Sequence, residues 1–138
     1  MRKRFYIVIA VFISLTSLSQ GIDLKTSQHK KVTYSFYGKQ IPFVYFKNHE
    51  ITISANCYKK TNQKYKCQAL NALSLLEKIK FTNEKLPNGK MFGVHLCKEY
   101  LLGEEMTGRN KKGGEVSFCK FKDKSYLSSG SFKTSLRR

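Results

Sequence analysis

Four cysteines, Cys57, Cys67, Cys97 and Cys119, constrain this 138-residue chain more than any other feature. What they can do depends on where the chain is sent. Arg2, Lys3 and Arg4 form a basic start, residues 5–13 (FYIVIAVFI) are uninterruptedly apolar, and residues 14–19 continue with small, mildly apolar side chains. That order is the order of a secretory signal, and the run is short of the roughly 20 apolar residues a membrane span needs. Ser17 and Ser19 fit the −3 and −1 positions of a cut before Gln20, and a cut after Gly21 also fits. The alternative is an uncleaved anchor. No cysteine follows the apolar run, so nothing supports a lipid-modified N-terminus. The expectation is a signal peptide at residues 1–19, an exported protein acting in the periplasm or outside the cell, and no integral span after cleavage.

Export puts the cysteines in an oxidising compartment, where an even count in a small domain implies disulfides. Three pairings are possible. Cys57–Cys67 and Cys97–Cys119 are expected, because each pair brackets its own turn-rich segment. Zinc would want close C-x(2–4)-C spacing, and the nearest cysteines are ten residues apart. A catalytic cysteine would want a partner histidine. His95 precedes Cys97 by two, and such a pair does not face itself on a helix.

The chain has room for one small domain and none for a Rossmann enzyme with a substrate domain, a kinase or a TIM barrel. Hydrophobic residues are 41% and aromatics 13%, enough for a core. Residues 20–31 read as a polar leader. Val32, Tyr34 and Phe36 alternate with Thr33 and Ser35, residues 41–46 form a second strand, and Ile51, Ile53 and Ala55 mark a third. Pro42 confines its end of the second strand to an edge or a strand start. Turns are expected at residues 37–40 and 47–49, and residues 59–66 (KKTNQKYK) form a basic loop. Residues 68–81 change to helical period, with Ala69, Leu73 and Leu76 on one stripe. Residues 82–90 form a loop centred on Leu86-Pro87-Asn88-Gly89.

Val94, Cys97, Tyr100 and Leu101 then repeat at helical spacing, with Gly103 suited to end the helix. Short strands are expected at 104–107, at 116–121 and at 125–128, with a loose tail from Lys133. The fold class is α+β: antiparallel β-meanders with two short helices in a small disulfide-stabilised domain. Residues 20–86 make a meander plus helix and residues 87–138 a helix plus meander. Whether the meanders form one sheet or two stays open.

Residues 93–125 carry a recognisable pattern: a short helix bearing Cys97, Gly103 after it, a Gly113-Gly114 turn, a strand ending Cys119-Lys120-Phe121, then Asp123 and Ser125. It resembles the small bacterial exported domain called domain-of-unknown-function family 333, some members of which bear a haemolysin label. The family has Asn-Pro-Ala before its first cysteine, a Gly pair after it and Asp-Gly-Ser after the Phe. Here Phe92-Gly93-Val94 replaces the first, Gly103 stands alone, Lys124 replaces the Gly, and the family's later Asp-Glu-Trp is missing. The resemblance implies an exported helix-plus-meander domain with a Cys97–Cys119 disulfide. It brings no mechanism.

Catalytic chemistry finds little footing. His29 lies in the leader, His49 in a turn and His95 on a short helix. Glu104 and Glu105 would point to opposite faces of a strand. No phosphate loop, G-x-S-x-G or H-E-x-x-H motif occurs. No cofactor is expected. Charge is the strongest functional signal, with 26 Lys+Arg against 9 Asp+Glu. Loss of Arg2, Lys3 and Arg4 with the signal would take the net +17 to +14. Three basic turns carry the candidate anion-binding residues. Lys59, Lys60, Lys64 and Lys66 lie beside Tyr58 and Tyr65; Arg109, Lys111 and Lys112 share a second turn; Lys120, Lys122 and Lys124 surround a third. Together they attract polyanions, and aromatics beside cations can stack on bases or sugars. The bland reading is a solvated lysine-rich surface.

The leading expectation is a non-catalytic binding domain of the bacterial envelope or exterior. Its ligand would be anionic: cell-wall polymer, lipid head groups, nucleic acid or an acidic protein. The rivals are a secreted toxin, haemolysin or nuclease-like enzyme, and a periplasmic partner or inhibitor protein.

Overall fold

The computed structural model describes Leu24 and residues 27–78 and 90–132. The expected signal peptide, most of the loop at 82–90 and the tail from Lys133 lie outside the described residues. The chain runs β1 (His29–Phe36), β2 (Lys39–Phe46), β3 (Ile51–Ser54), a small hairpin β4 (Tyr58–Lys59) and β5 (Lys64–Tyr65), then α1 (Gln68–Lys78). The second half runs α2 (Lys90–His95) into a π-helical turn (Leu96–Tyr100), then β6 (Glu104–Arg109), β7 (Glu115–Lys120) and β8 (Tyr126–Ser128). The two expected meanders are present and close on each other as one antiparallel barrel, in the order β1-β2-β3-β8-β7-β6. Last strand meets last strand at Ile53↔Leu127, and first meets first at Ser35↔Arg109. Each seam is one residue pair long, against eight pairs between β1 and β2.

Aromatic rings fill the interior. Phe36 of β1 lies 5.2 Å, centroid to centroid, from both Phe118 of β7 and Tyr126 of β8, strands to which β1 is not bonded. Such contacts exist only across the inside of the barrel. Phe43 completes the cluster 4.8 Å from Phe118, and Val32, Tyr34, Ile41, Met106 and Val116 pack around it. Their alternate spacing on β1, β2, β6 and β7 is the period of two that turns every second side chain inward. Gly108 is required here. A Cβ on it would stand 2.7 Å from Cζ of Phe36 and 3.1 Å from Cε2 of Phe118.

The outer face on one side is equally apolar and carries the helices. Val44, Phe46, Ile51, Ile53 and Leu127 pack with Ala69, Ala72, Leu73 and Leu76 of α1 and with Leu96, Leu101 and Phe132. Those α1 positions repeat at i, i+3, i+4 and i+7, the stripe a helix presents to a sheet. β3 is therefore buried on both faces, and its polar residues are satisfied inside. Ser54 Oγ accepts from the Tyr126 N–H at 2.8 Å and donates to Asn56 Oδ1 at 2.6 Å. The disulfides are Cys57–Cys67 and Cys97–Cys119, as the bracketing implied. The first closes the β4–β5 hairpin. The second ties the π-helical turn to β7, and each stabilises by about 3 kcal/mol through the unfolded chain.

Several local expectations change. Residues 29–31 belong to β1, and His29 is not in a leader. β6 continues past Thr107, so Arg109 ends a strand and does not sit in a turn. Tyr37 and Gly38 alone make the first turn, both with positive φ, as in the two-residue hairpin whose twist matches its strands. β2 is an inner strand, and Pro42 is tolerated because β3 pairs only from Phe43 onward. Gly103 does not end its helix with a left-handed turn; Leu102 does, at φ 52. Gly103 is needed because a Cβ there would collide with Sγ of Cys119 and stand 3.1 Å from Sγ of Cys97.

The turn at Lys122–Lys124 clamps α1 to the barrel. Asp123 Oδ2 accepts from the Gln68 N–H at 2.8 Å, and Gln68 Oε1 accepts from the Asp123 N–H at 3.0 Å. Ser125 Oγ accepts from the Ala69 N–H at 3.0 Å and donates to Asp123 Oδ1. Helix α1 thus takes its N-terminal caps from a turn 55 residues away in sequence. Desolvation pushes the Asp123 carboxyl up, but the hydrogen bonds from Gln68 and Ser125, aided by Lys59, outweigh it and hold it below the ordinary value of 3.8.

Two outcomes follow from this packing. Gly108→Ala should lose about 1–3 kcal/mol in denaturant unfolding, because the methyl must displace a ring in a filled interior. Asp123→Ala should lose about 1 kcal/mol, the usual worth of an N-terminal cap. A carboxyl held low in the folded state stabilises above its unfolded pKa and stops doing so as pH falls through the folded one. The difference between Asp123→Ala and the parent protein should therefore be full at neutral pH and shrink below about pH 4.

Candidate functional site

Two of the three expected basic turns adjoin. Lys59 and Lys64 face each other across the β4–β5 hairpin, with Tyr58 opposite Tyr65. Lys59 Nζ donates to the Asn56 carbonyl at 3.0 Å, and Asn56 Nδ2 donates to the Lys124 carbonyl at 3.0 Å. Asn56 therefore links the hairpin to the 122–124 turn. Lys60, Lys66, Lys122 and Lys124 are exposed around them. A groove of about 430 Å³ runs alongside, lined by Lys39, Asn56, Lys120, Lys124 and Tyr126 among others. Its charge is partly neutralised, since Lys120 Nζ lies 3.5 Å from Glu104 Oε2. Tyr65 is only partly exposed. Its ring packs edge-on to Phe46 at 5.2 Å, and burial, then Tyr58, pushes its hydroxyl pKa up.

Arg109 is also paired, 3.2 Å from Glu115 Oε1 across the β6–β7 hairpin. Exposed pairs of this kind contribute little to stability, but each reduces the net charge offered to a ligand. Lys111 and Lys112 differ. They project from a turn braced by Asn110, whose Oδ1 accepts from the N–H groups of Lys112 and Gly114, both at 2.9 Å. Gly113 in this turn has φ +83.

This braced turn faces the first half of β1. Lys30, Lys31, Val32, Thr33 and Tyr34 on one side and Asn110, Lys111 and Lys112 on the other enclose a groove of about 350 Å³. Among the described residues, four lysines line it and no acidic residue does. Lys111 and Lys112 were expected; Lys30 and Lys31 were not, because the polar run at residues 20–31 hid the start of β1. The available signal was two lysines running directly into an alternating strand, a frequent mark of a sheet edge.

Among the described residues, no strand pairs with the backbone beside this groove on the side away from β2. β1 meets β6 only at Ser35↔Arg109, and one step further the chain has turned away at Asn110. Phe36↔Lys39 flanks a two-residue turn, so it is a hydrogen-bonded pair of β1 and β2, as are the alternate pairs Tyr34↔Ile41 and Val32↔Phe43. Thr33 stands opposite Pro42, which has no N–H to give. The N–H and C=O groups of Thr33, and of Lys31 two residues before it, therefore point away from β2 and toward the groove.

The histidines do not converge. His49 Nε2 lies 2.8 Å from Ser27 Oγ, a contact that, with the Lys47 N–H to Gln28 carbonyl bond, ties the entry of β1 to the turn after β2. His29 packs near Phe46, with ring centroids 6.0 Å apart, and His95 lies 5.6 Å from Tyr100. Among the described residues no group of three or more His, Cys, Asp or Glu is placed to hold a metal ion, and no helix is long and apolar enough to cross a membrane. No protein-family model, curated protein or solved structure significantly matches the chain.

Proposed function

We propose that this chain is an exported, disulfide-stabilised binding domain for anionic ligands, acting at the bacterial envelope or outside the cell without chemistry of its own. The observation that carries the reading is the groove between β1 and the Asn110–Gly114 turn, where four lysines stand together with no acidic residue among the described residues that line it. Charge gathered on low-dielectric walls focuses the field and raises the local concentration of an anion. The two disulfides support export, because such bonds persist in oxidising compartments. The resemblance to domain-of-unknown-function family 333 belongs to the same proposal. It is supported by Lys124, which stands where that family has glycine and takes φ 62, a conformation glycine adopts most easily.

Titration of the protein against heparin, single-stranded RNA and anionic liposomes at several salt concentrations tests the reading. Binding should weaken steeply with salt. On RNA the log–log slope should fall by about 0.7 for each phosphate contact removed. Lys111→Ser with Lys112→Ser should reduce that slope and leave the unfolding midpoint unchanged, since exposed turn lysines bury little. Lys120→Ser, at a position already paired with Glu104, should change it less. Absence of binding to all three probes at low salt, or an unchanged slope in the Lys111/Lys112 variant, contradicts the proposal.

A further inference from the structure

We infer that the β1 edge between Ser35 and the start of the strand is a docking site for an extended acidic segment of a partner protein, which adds to the barrel as a short extra strand. The inference rests on the anion-binding reading and narrows it to one class of ligand. Charge alone would serve nucleic acid, glycan or protein equally. The backbone distinguishes them: the Thr33 and Lys31 edge groups face the groove, and only another polypeptide in extended form offers N–H and C=O groups at matching spacing. Pairing along an open edge supplies affinity, and side chains at alternate positions supply selectivity.

The charges fit such a segment. Lys30 and Lys31 are neighbours on a strand, so their side chains leave opposite faces of β1. Lys111 and Lys112 rise from the far wall. A strand carrying Glu or Asp could thus meet lysines on both of its faces, while Val32 and Tyr34 offer apolar surface between them. The seam has room for it because the barrel is already held closed at Ser35↔Arg109, next to the groove. An incoming strand need not displace β6.

The test uses the intact protein, a labelled short peptide with Glu on both strand faces (repeats of Glu-Glu-Val), and heparin and single-stranded RNA as comparators without a peptide backbone, all at low salt. Thr33→Pro removes the edge N–H and blocks the seam. It spares the β1–β2 ladder, because that N–H does not point at β2 and proline is accepted on strand edges. The expected result is peptide binding that weakens about tenfold or more in Thr33→Pro, with heparin binding equal in both proteins. The same peptide N-methylated at every second amide should also bind the unaltered protein about tenfold more weakly, which decides the matter if Thr33→Pro fails to fold. Equal peptide binding by both proteins and by both peptides overturns the inference: the lysines then act by charge alone, or shield the edge from self-association. Single-stranded RNA bound without the peptide overturns it in favour of nucleic acid. If neither heparin, RNA nor peptide binds, the anion-binding reading falls with it.

Discussion

The six strands are held as a barrel chiefly by the rings they enclose, because the hydrogen-bonded seams between the two meanders are each one residue pair long. Phe36, Phe43, Phe118 and Tyr126 come from four strands and meet in the middle. Each buried ring of this size contributes a few kcal/mol, and favourable ring pairs add about 0.5–1.5 kcal/mol each. No single seam pair approaches that. Rings of this size also leave no space for a side chain at position 108, so Gly108 is tied to the same constraint.

A barrel closed from inside has freedom at its seams, and the molecule uses the two seams differently. The β3–β8 seam is buried under α1 and reinforced by polar contacts: Ser54 with Tyr126, and the Thr52 N–H with Ser131 Oγ at 3.0 Å. The clamp of Asp123 and Ser125 on the start of α1 holds the covering helix beside it. Among the described residues no helix covers the β1–β6 seam in this way, and it opens into the lysine-lined groove. The helical cover and its polar clamp lie on one side of the barrel, and the short seam and the lysine-lined groove lie together on the other.

Much of this was legible in the residues. Alternation at Val32-Tyr34-Phe36 and at Val116-Phe118 marked inward faces, the stripe Ala69-Leu73-Leu76 marked the covering helix, and cysteine bracketing gave both disulfides. Closure into a barrel was not legible, because each long-range seam rests on one pair and leaves no pattern in the chain. The role of Asp123 was hidden for a similar reason: it caps a helix 55 residues earlier, and capping signals are ordinarily sought beside the helix they serve. Gly103 suggested a helix stop, but glycine also serves close approach, and there the sulfurs of Cys97 and Cys119 demand it. The candidate site was half visible. Lys111 and Lys112 stood out as a turn, while Lys30 and Lys31 gained meaning only when β1 was seen to begin at His29.

The proposed site requires β1 to be bonded to β2 along its length and open on its other side from Thr33 back. Amide hydrogen exchange measured residue by residue reads this directly, since protection follows whether each N–H has a partner. The expected pattern alternates: slow exchange at Val32 and Tyr34, whose N–H groups face β2, and fast exchange at Lys31 and Thr33, with protection returning at Ser35 where β6 joins. Uniform protection from Lys31 to Ser35 would mean that the seam is fully paired, and would contradict both the open edge and the site built on it.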